Sequence, residues 1–136
     1  MHRMERSKVY ILKISNMEKY FVTYDQALAL KELGFDEPCF GYYNMKKKFN
    51  MGDYTTKHWK STCLAPLYQQ AFRWFREEHG LWFRPDFYDE MKTYDYQGSI
   101  HKLGRFSSLA SLDNHKTVEE LESACIDKLI ELIKNK

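Results

Sequence analysis

LAPLYQQAFRWFREEHGL, residues 64–81, is the strongest structural signal in the chain. Apolar side chains recur in it at helical spacing, and polar and charged ones fill the opposite side, which predicts an amphipathic helix over 66–79. Pro66 stands at a favoured first helical position, and Gly80 follows the last turn. We expect this to be the central helix of the core. Its predicted buried face consists of Leu67, Tyr68, Ala71, Phe72, Trp74 and Phe75.

A second helix is predicted upstream, between Thr23 and Gly34. Thr23 and Gln26 match the capping box T-x-x-Q, in which the two side chains accept hydrogen bonds from backbone N–H groups of the first turn. Gly34 suits the left-handed position after the last turn, which lets Phe35 fold back on Leu30. The residues predicted to face the core are Ala27, Leu30 and Leu33.

A third helix is predicted at the end of the sequence. Thr117 and Glu120 form a second capping box, and Lys134 and Lys136 lie near the negative end of the helix dipole. The predicted buried stripe is Val118, Leu121, Cys125, Leu129, Leu132 and Ile133.

The segments between these helices predict strands and loops. Residues 8–14 (KVYILKI) are β-branched and predict a first strand, unless residues 1–16 are an extension upstream of a second start at Met17. We expect a strand over 39–43, a hairpin or loop over 44–60 with a turn at 51–53, antiparallel sheet over 82–103 with a turn at 97–99, and a loop over 104–115. Helices and strands do not alternate one for one. The sequence therefore favours an α+β fold, a small antiparallel sheet packed by three helices in a single domain over 17–136.

Composition excludes several classes of protein. The chain has 136 residues with 21 Lys and Arg against 19 Asp and Glu, so its net charge gives little support to nucleic-acid or membrane binding. The three cysteines are odd in number and far apart in sequence, which fits free thiols in a reducing cytoplasm. No apolar run reaches the ~20 residues that a membrane span needs. The glycines match no phosphate-binding loop, and no paired Cys or His spacing indicates a metal site.

Three stretches, LKELGFDEPCFGYYN (30–44), LAPLYQQAFRWFREEHGL (64–81) and TVEELESACIDKLIELIK (117–134), resemble a group of small uncharacterised proteins from bacteriophages and prophages of Bacteroidetes. The resemblance covers about 17–136. The group has no assigned activity, so it implies no catalytic or binding residue. It implies a small phage protein in the cytoplasm of a bacterial host, an accessory factor that binds a host target or disarms a defence system.

Aromatic and basic residues form the least ordinary feature of the composition. Aromatics make up 16% of the chain, and many tyrosines fall on predicted strands or loops near lysines. Tyr and Trp offer a stacking face with a hydrogen-bonding tip, which suits protein hot spots and nucleobase pockets. The alternative is a Tyr-rich core with a solvated lysine face. The predicted ligand- or partner-binding residues are Lys46, Lys47, Lys48, Tyr54, Lys57, Trp59, Lys60, Tyr94 and Tyr96. Further candidates for phosphate contacts are Arg73, Arg76, Arg84, Lys102 and Arg105.

These observations favour a non-enzymatic protein that binds a host protein or a phosphorylated small ligand, without a cofactor or a metal. A nucleic-acid-binding protein is one alternative. A small enzyme is another, with Cys63 as the nucleophile, activated by the N-terminus of the helix at 66–79, and His58 or His79 as its base. The sequence leaves open whether the chain forms a homodimer.

Overall fold

The computed structural model describes four stretches of the chain, with Asp53, Tyr54 and Phe87 described by their backbone alone. These stretches are residues 16–54, 63–87, 96–105 and 107–136. They form three helices and two three-stranded antiparallel sheets, which is an α+β fold. The strands that the sequence assigns to one sheet are thus divided between two. The chain divides into two compact units, which we call unit 1 (Met1–Leu67) and unit 2 (Tyr68–Lys136) and describe separately.

The helix of unit 1, α1 (Tyr24–Glu32), follows a short 3-10 turn at Glu18–Tyr20. Its capping box is confirmed. The Gln26 N–H donates to Thr23 Oγ1 over 3.3 Å, and the Thr23 N–H donates to Gln26 Oε1 over 2.9 Å. Two backbone donors that the helix itself leaves unpaired are satisfied in this way.

The end of α1 also follows the prediction. Gly34 has φ +98°, and the Phe35 N–H donates to the Leu30 carbonyl over 2.9 Å. This hydrogen bond belongs to the Schellman motif, in which the residue after the glycine packs back on the helix. Phe35, Leu30 and Ala27 are buried, whereas Leu33, at the C-cap, is half-buried.

The sheet of unit 1 has the order β2-β1-β3. Its strands are β1 (Cys39–Tyr43), β2 (Phe49–Tyr54) and β3 (Cys63–Ala65). The strand over 39–43 is confirmed, but the turn predicted at 51–53 is wrong, because those residues lie within β2. The turn lies at 44–48 instead. The Asn44 side chain fixes it by accepting the N–H groups of Lys46 and Lys48 at 2.9 and 3.1 Å, so an Asx-type turn takes precedence over the Gly-Asp signal.

The predicted helix start at Pro66 is also wrong. The helix begins at Tyr68, because residues 66 and 67 are held in extended pairing with the segment that precedes α1. The Val22 N–H donates to the Pro66 carbonyl over 3.0 Å, and Leu67 forms a β-bridge with Phe21. Leu67 is therefore half-buried outside the helix instead of on its inner face.

Unit 2 consists of α2 (Tyr68–His79), β4 (Leu81–Phe87), β5 (Tyr96–Lys102), β6 (Ser108–His115) and α3 (Val118–Lys134). Its sheet has the order β4-β5-β6 with antiparallel neighbours. The inner face of α2 is buried as predicted at Tyr68, Ala71, Phe72, Trp74 and Phe75.

Two predictions about this sheet are wrong. Residues 97–99 are not a turn but lie inside β5, and most of 104–115 is not a loop but the strand β6. Gly98 serves close packing, since a Cβ there would lie 2.6 Å from Cε2 of Phe83. In β6 the serines are exposed, while Ala110 and Leu112 are half-buried. Burial of every second residue is typical of a strand with one face toward the core.

Helix α3 follows its predicted N-cap, Thr117, but buries a shifted stripe. Thr117 Oγ1 accepts the Glu120 N–H over 3.1 Å. The Glu120 carboxylate accepts the N–H of Lys116 instead of that of Thr117, so only half of the predicted capping box is formed. Val118 is exposed, and Leu132 and Ile133 are only half-buried. The buried residues are Leu121, Cys125 and Leu129, as predicted, together with Ile126 and Ile130.

Candidate functional site

A cavity of unit 2 lies on β4, the end of β5 and the turn that follows. We call it the β4–β5 cleft. Its volume is about 720 Å³, within the range of roughly 300–1,000 Å³ that is typical of small-molecule sites. Its described lining consists of Trp82, Phe83, Arg84, Pro85, His101, Lys102, Leu103, Gly104 and Arg105.

The strand register places Trp82 in this cleft. Leu81 is buried at the start of β4, so its neighbour Trp82 points to the opposite face of the sheet. There it lies directly across from His101. The Trp82 side chain is 51% exposed, and its indole has no ring contact or hydrogen bond with any residue that the structure describes. Its aromatic face is therefore available to a ligand.

A tight turn carries two cations that line the same cleft as the indole. The Arg105 N–H donates to the Lys102 carbonyl over 3.0 Å, and Gly104 between them has φ +84°, as a type II turn requires. The first and last Cα atoms of such a turn lie within about 7 Å. The Leu103 N–H donates to the Gly80 carbonyl over 2.8 Å, which anchors this turn to the end of α2.

The cleft is positively charged. Arg84, Lys102 and Arg105 line it, and its described lining contains no carboxylate. Arg84 Nε lies 3.5 Å from Asp86 Oδ1, but Lys102 and Arg105 form no ion pair with any described residue. Cations grouped in a concave site raise the local concentration of anions. This cleft therefore suits a negatively charged ligand.

A pair of polar side chains lies on the same face of the sheet. Ser99 Oγ and His101 Nε2 are 2.8 Å apart, and Ser99 faces Arg84 across the strands. A hydroxyl and an imidazole both donate and accept hydrogen bonds. Of the two, His101 lines the cleft and adds hydrogen-bonding capacity to it.

A second cavity in unit 2 shares Trp82, Phe83 and Pro85 with the cleft but differs in size and charge. Its volume is about 200 Å³, and Arg76 and Glu122 both line it. Gln69 Nε2 donates to the Glu122 carboxylate. Burial raises the pKa of Glu122, the hydrogen bond from Gln69 opposes that rise, and the nearby Glu119 adds to it. A small cavity that holds a carboxylate is a poorer site for an anion than the β4–β5 cleft.

The sequence-predicted binding residues are spread over both units. Lys46, Lys47 and Lys48 lie together on the β1–β2 turn of unit 1, where the Lys47 ammonium is 5.1 Å from the centre of the Tyr24 ring. Tyr54 ends β2, and Tyr96 begins β5 of unit 2, half-buried. The remaining predicted residues, Lys57, Trp59, Lys60 and Tyr94, lie outside the described residues.

Sequence reasoning missed Trp82 as a site residue, although Arg84, Lys102 and Arg105 are among the predicted phosphate contacts. The available signal is the alternation over 81–85, where Leu81 and Phe83 flank Trp82 and Arg84 falls on the same parity as the indole. Alternation assigns these residues to two faces, but which face is solvent-exposed depends on the packing of unit 2.

The cysteine chemistry considered from the sequence finds little support. Cys63 is buried in β3, and α2 begins only at Tyr68, so the thiol is not in the first helical turn, where the dipole acts. His58 lies outside the described residues. Burial, and then Glu37, raises the pKa of Cys39 to about 12. Burial, and then Glu122, also raises the pKa of Cys125, so both remain protonated and weakly nucleophilic near neutral pH.

No group of three His, Cys, Asp or Glu side chains among the described residues is arranged to hold a metal ion. None of the helices in the described part of the chain is long and apolar enough to cross a membrane. No protein-family model matches the sequence, and neither a curated protein nor a solved structure is significantly similar to it.

Proposed function

We propose that the chain is a non-enzymatic binding protein whose β4–β5 cleft takes a phosphate-bearing small ligand. One observation carries the proposal. Lys102 and Arg105 stand at the ends of one tight turn and line a cavity of about 720 Å³, which Arg84 also lines and whose described lining has no carboxylate. Phosphate is the common biological anion that binds several cations at once, and arginine meets it with two parallel hydrogen bonds.

The rigidity of the site supports the same proposal. Hydrogen bonds within the turn and from Leu103 to Gly80 fix the backbone that carries Lys102 and Arg105. A ligand that binds a preformed turn loses less free energy to the ordering of the protein than one that binds a mobile loop. The site is thus built for recognition, and no activated nucleophile is found among the described cleft residues.

The biological setting is part of the proposal and rests on the sequence resemblance alone. A phage accessory protein in a bacterial cytoplasm that captures a phosphorylated small molecule would lower its free concentration. Removal of a signalling ligand in this way is one route to an anti-defence role. A nucleic acid as the partner would be recognised from the outcomes of the tests below.

Calorimetric titration of the full chain with inorganic pyrophosphate tests the proposal. We expect binding that weakens with added salt, because the contacts are ionic. The double variant K102A/R105A should lose at least about tenfold in affinity, since hydrogen bonds to charged groups contribute roughly 1.5–3 kcal/mol each.

The matched control is K116A/K134A, which removes two positive charges from unit 2 outside the cleft. It should bind pyrophosphate almost as tightly as the unmodified chain. Equal losses in the two double variants would show a general effect of net charge, and the absence of pyrophosphate binding to the unmodified chain would contradict the proposal outright.

A further inference from the structure

We infer that the ligand of the β4–β5 cleft is a nucleotide, whose base stacks on the indole of Trp82 while its phosphate binds Lys102 and Arg105. This inference rests on the proposed function and adds a second recognition element to it. The cations alone would accept any phosphate ester. The cations do not account for the exposed indole of Trp82 in the same cleft.

Exposure of this indole has no structural explanation within the described residues. Tryptophan is usually largely buried, and the other described tryptophan, Trp74, is 5% exposed and packs against Phe75. Trp82 is 51% exposed and has neither a ring partner nor a hydrogen bond among the described residues. A large aromatic face held on a regular strand is a stacking surface for a planar group.

The position of the indole relative to the cations fits one molecule with two ends. Trp82 pairs with His101 across the strands, and the next residue along β5, Lys102, begins the turn that ends at Arg105. The residue opposite the indole and the first residue of the turn are thus neighbours along β5, and Trp82, Lys102 and Arg105 all line the same cavity. A ligand that fills this cavity can meet the indole with a planar ring and the cations with a phosphate, as a nucleoside phosphate would.

Polar groups near the indole can read the edge of a base. Ser99 Oγ and His101 Nε2 lie 2.8 Å apart on the same face as Trp82. A base edge presents donors and acceptors, and the hydroxyl and the imidazole match both kinds. A flat apolar ring has no such edge and would form no hydrogen bond with Ser99 or His101.

The test compares AMP with ribose 5-phosphate, which carries the same sugar and phosphate but no base. In calorimetric titrations of the full chain, AMP should bind more tightly. Stacking on an aromatic side chain contributes about 1–3 kcal/mol per base, so W82A should weaken AMP binding about 5- to 150-fold and leave ribose 5-phosphate binding within about twofold. Ring stacking is separated from plain apolar contact by W82L, which keeps a large apolar side chain and should weaken AMP binding nearly as much as W82A.

The outcomes separate this inference from the proposed function. The nucleotide inference would be overturned if AMP and ribose 5-phosphate bound with equal affinities that W82A left unchanged. The phosphate site would still be supported in that case if pyrophosphate binding depended on Lys102 and Arg105. No binding of any of these probes would overturn both. A short single-stranded oligonucleotide that binds more tightly than AMP, with a steep salt dependence, would replace the small ligand with a nucleic acid.

Discussion

Alanine at position 98 is expected to destabilise unit 2. A Cβ added to Gly98 would lie 2.6 Å from Cε2 of Phe83 and 3.1 Å from the carbonyl oxygen of Arg84. The Phe83 ring has little freedom to retreat, because its centroid is 4.8 Å from that of Phe72, which is buried on α2. The new methyl group must therefore displace either a packed ring or the backbone of β4.

The size of the effect follows from two opposing contributions. Overpacking of a filled site costs about 1–3 kcal/mol, whereas replacing glycine restricts the unfolded chain and returns about 0.4–1 kcal/mol. We expect a net loss of about 1–2 kcal/mol in the free energy of unfolding. With an unfolding entropy of about 2.1 cal/mol/K per residue, the Tm of this 136-residue chain should fall by roughly 3–7 °C.

Urea unfolding followed by circular dichroism measures this loss, and a double-mutant cycle identifies its cause. F83L removes most of the ring that the methyl group meets, so G98A should cost at least about 0.5 kcal/mol less in the F83L background. A Gly98→Ala substitution without cost, or with the same cost in both backgrounds, would refute the proposed contact between positions 98 and 83.

Three further predictions concern other parts of the chain. T23A removes the acceptor of the Gln26 N–H and should cost about 1 kcal/mol in urea unfolding. G34A forces a methyl group onto a backbone with φ +98° and should cost about 1–2 kcal/mol in the same assay. Burial, and then Lys136, lowers the pKa of His79 from its ordinary 6.5, and its buried Nε2 has no partner among the described residues. The folded state thus favours the neutral imidazole, and the unfolded chain takes up the proton first as the pH falls. The free energy of unfolding should therefore be highest above pH 6.5 and should decrease as the pH falls from 6.5 through the lowered pKa of His79. H79F should reduce that loss between pH 7.5 and 5.5, and an unchanged pH dependence would contradict it.

The two ends of α1 were predictable because they depend on residues close in sequence. Thr23 and Gln26 are three positions apart, and the Schellman contact of Phe35 with Leu30 is five positions long. Each motif satisfies its own backbone groups, so distant parts of the chain hardly influence it. The buried face of α2 follows in the same way from apolar spacing.

Strand boundaries were less predictable because pairing is set by distant residues. Gly98 looks like a turn residue until Phe83 is placed against it. The serine-rich strand β6 has few apolar side chains of its own and is defined by its pairing with β5. Pro66 resembles a helix start, but the carbonyl group of that residue accepts the Val22 N–H.

The sequence indicated which basic residues could contact phosphate, but it did not indicate which of them lie together. Arg84, Lys102 and Arg105 are noted from the sequence as phosphate contacts, yet their grouping depends on the β4–β5 register and on the turn at Gly104. The run of three lysines attracts attention by its charge, whereas the structure gives it a hairpin turn that the Asn44 side chain stabilises.

Amide chemical-shift mapping of the isotopically labelled full chain, titrated with AMP, distinguishes the cleft from the lysine run directly. We expect the largest shifts in residues 82–84 and 101–105, with little change at 44–48. Shifts centred on residues 44–48, or no saturable shift in the β4–β5 cleft, would contradict it.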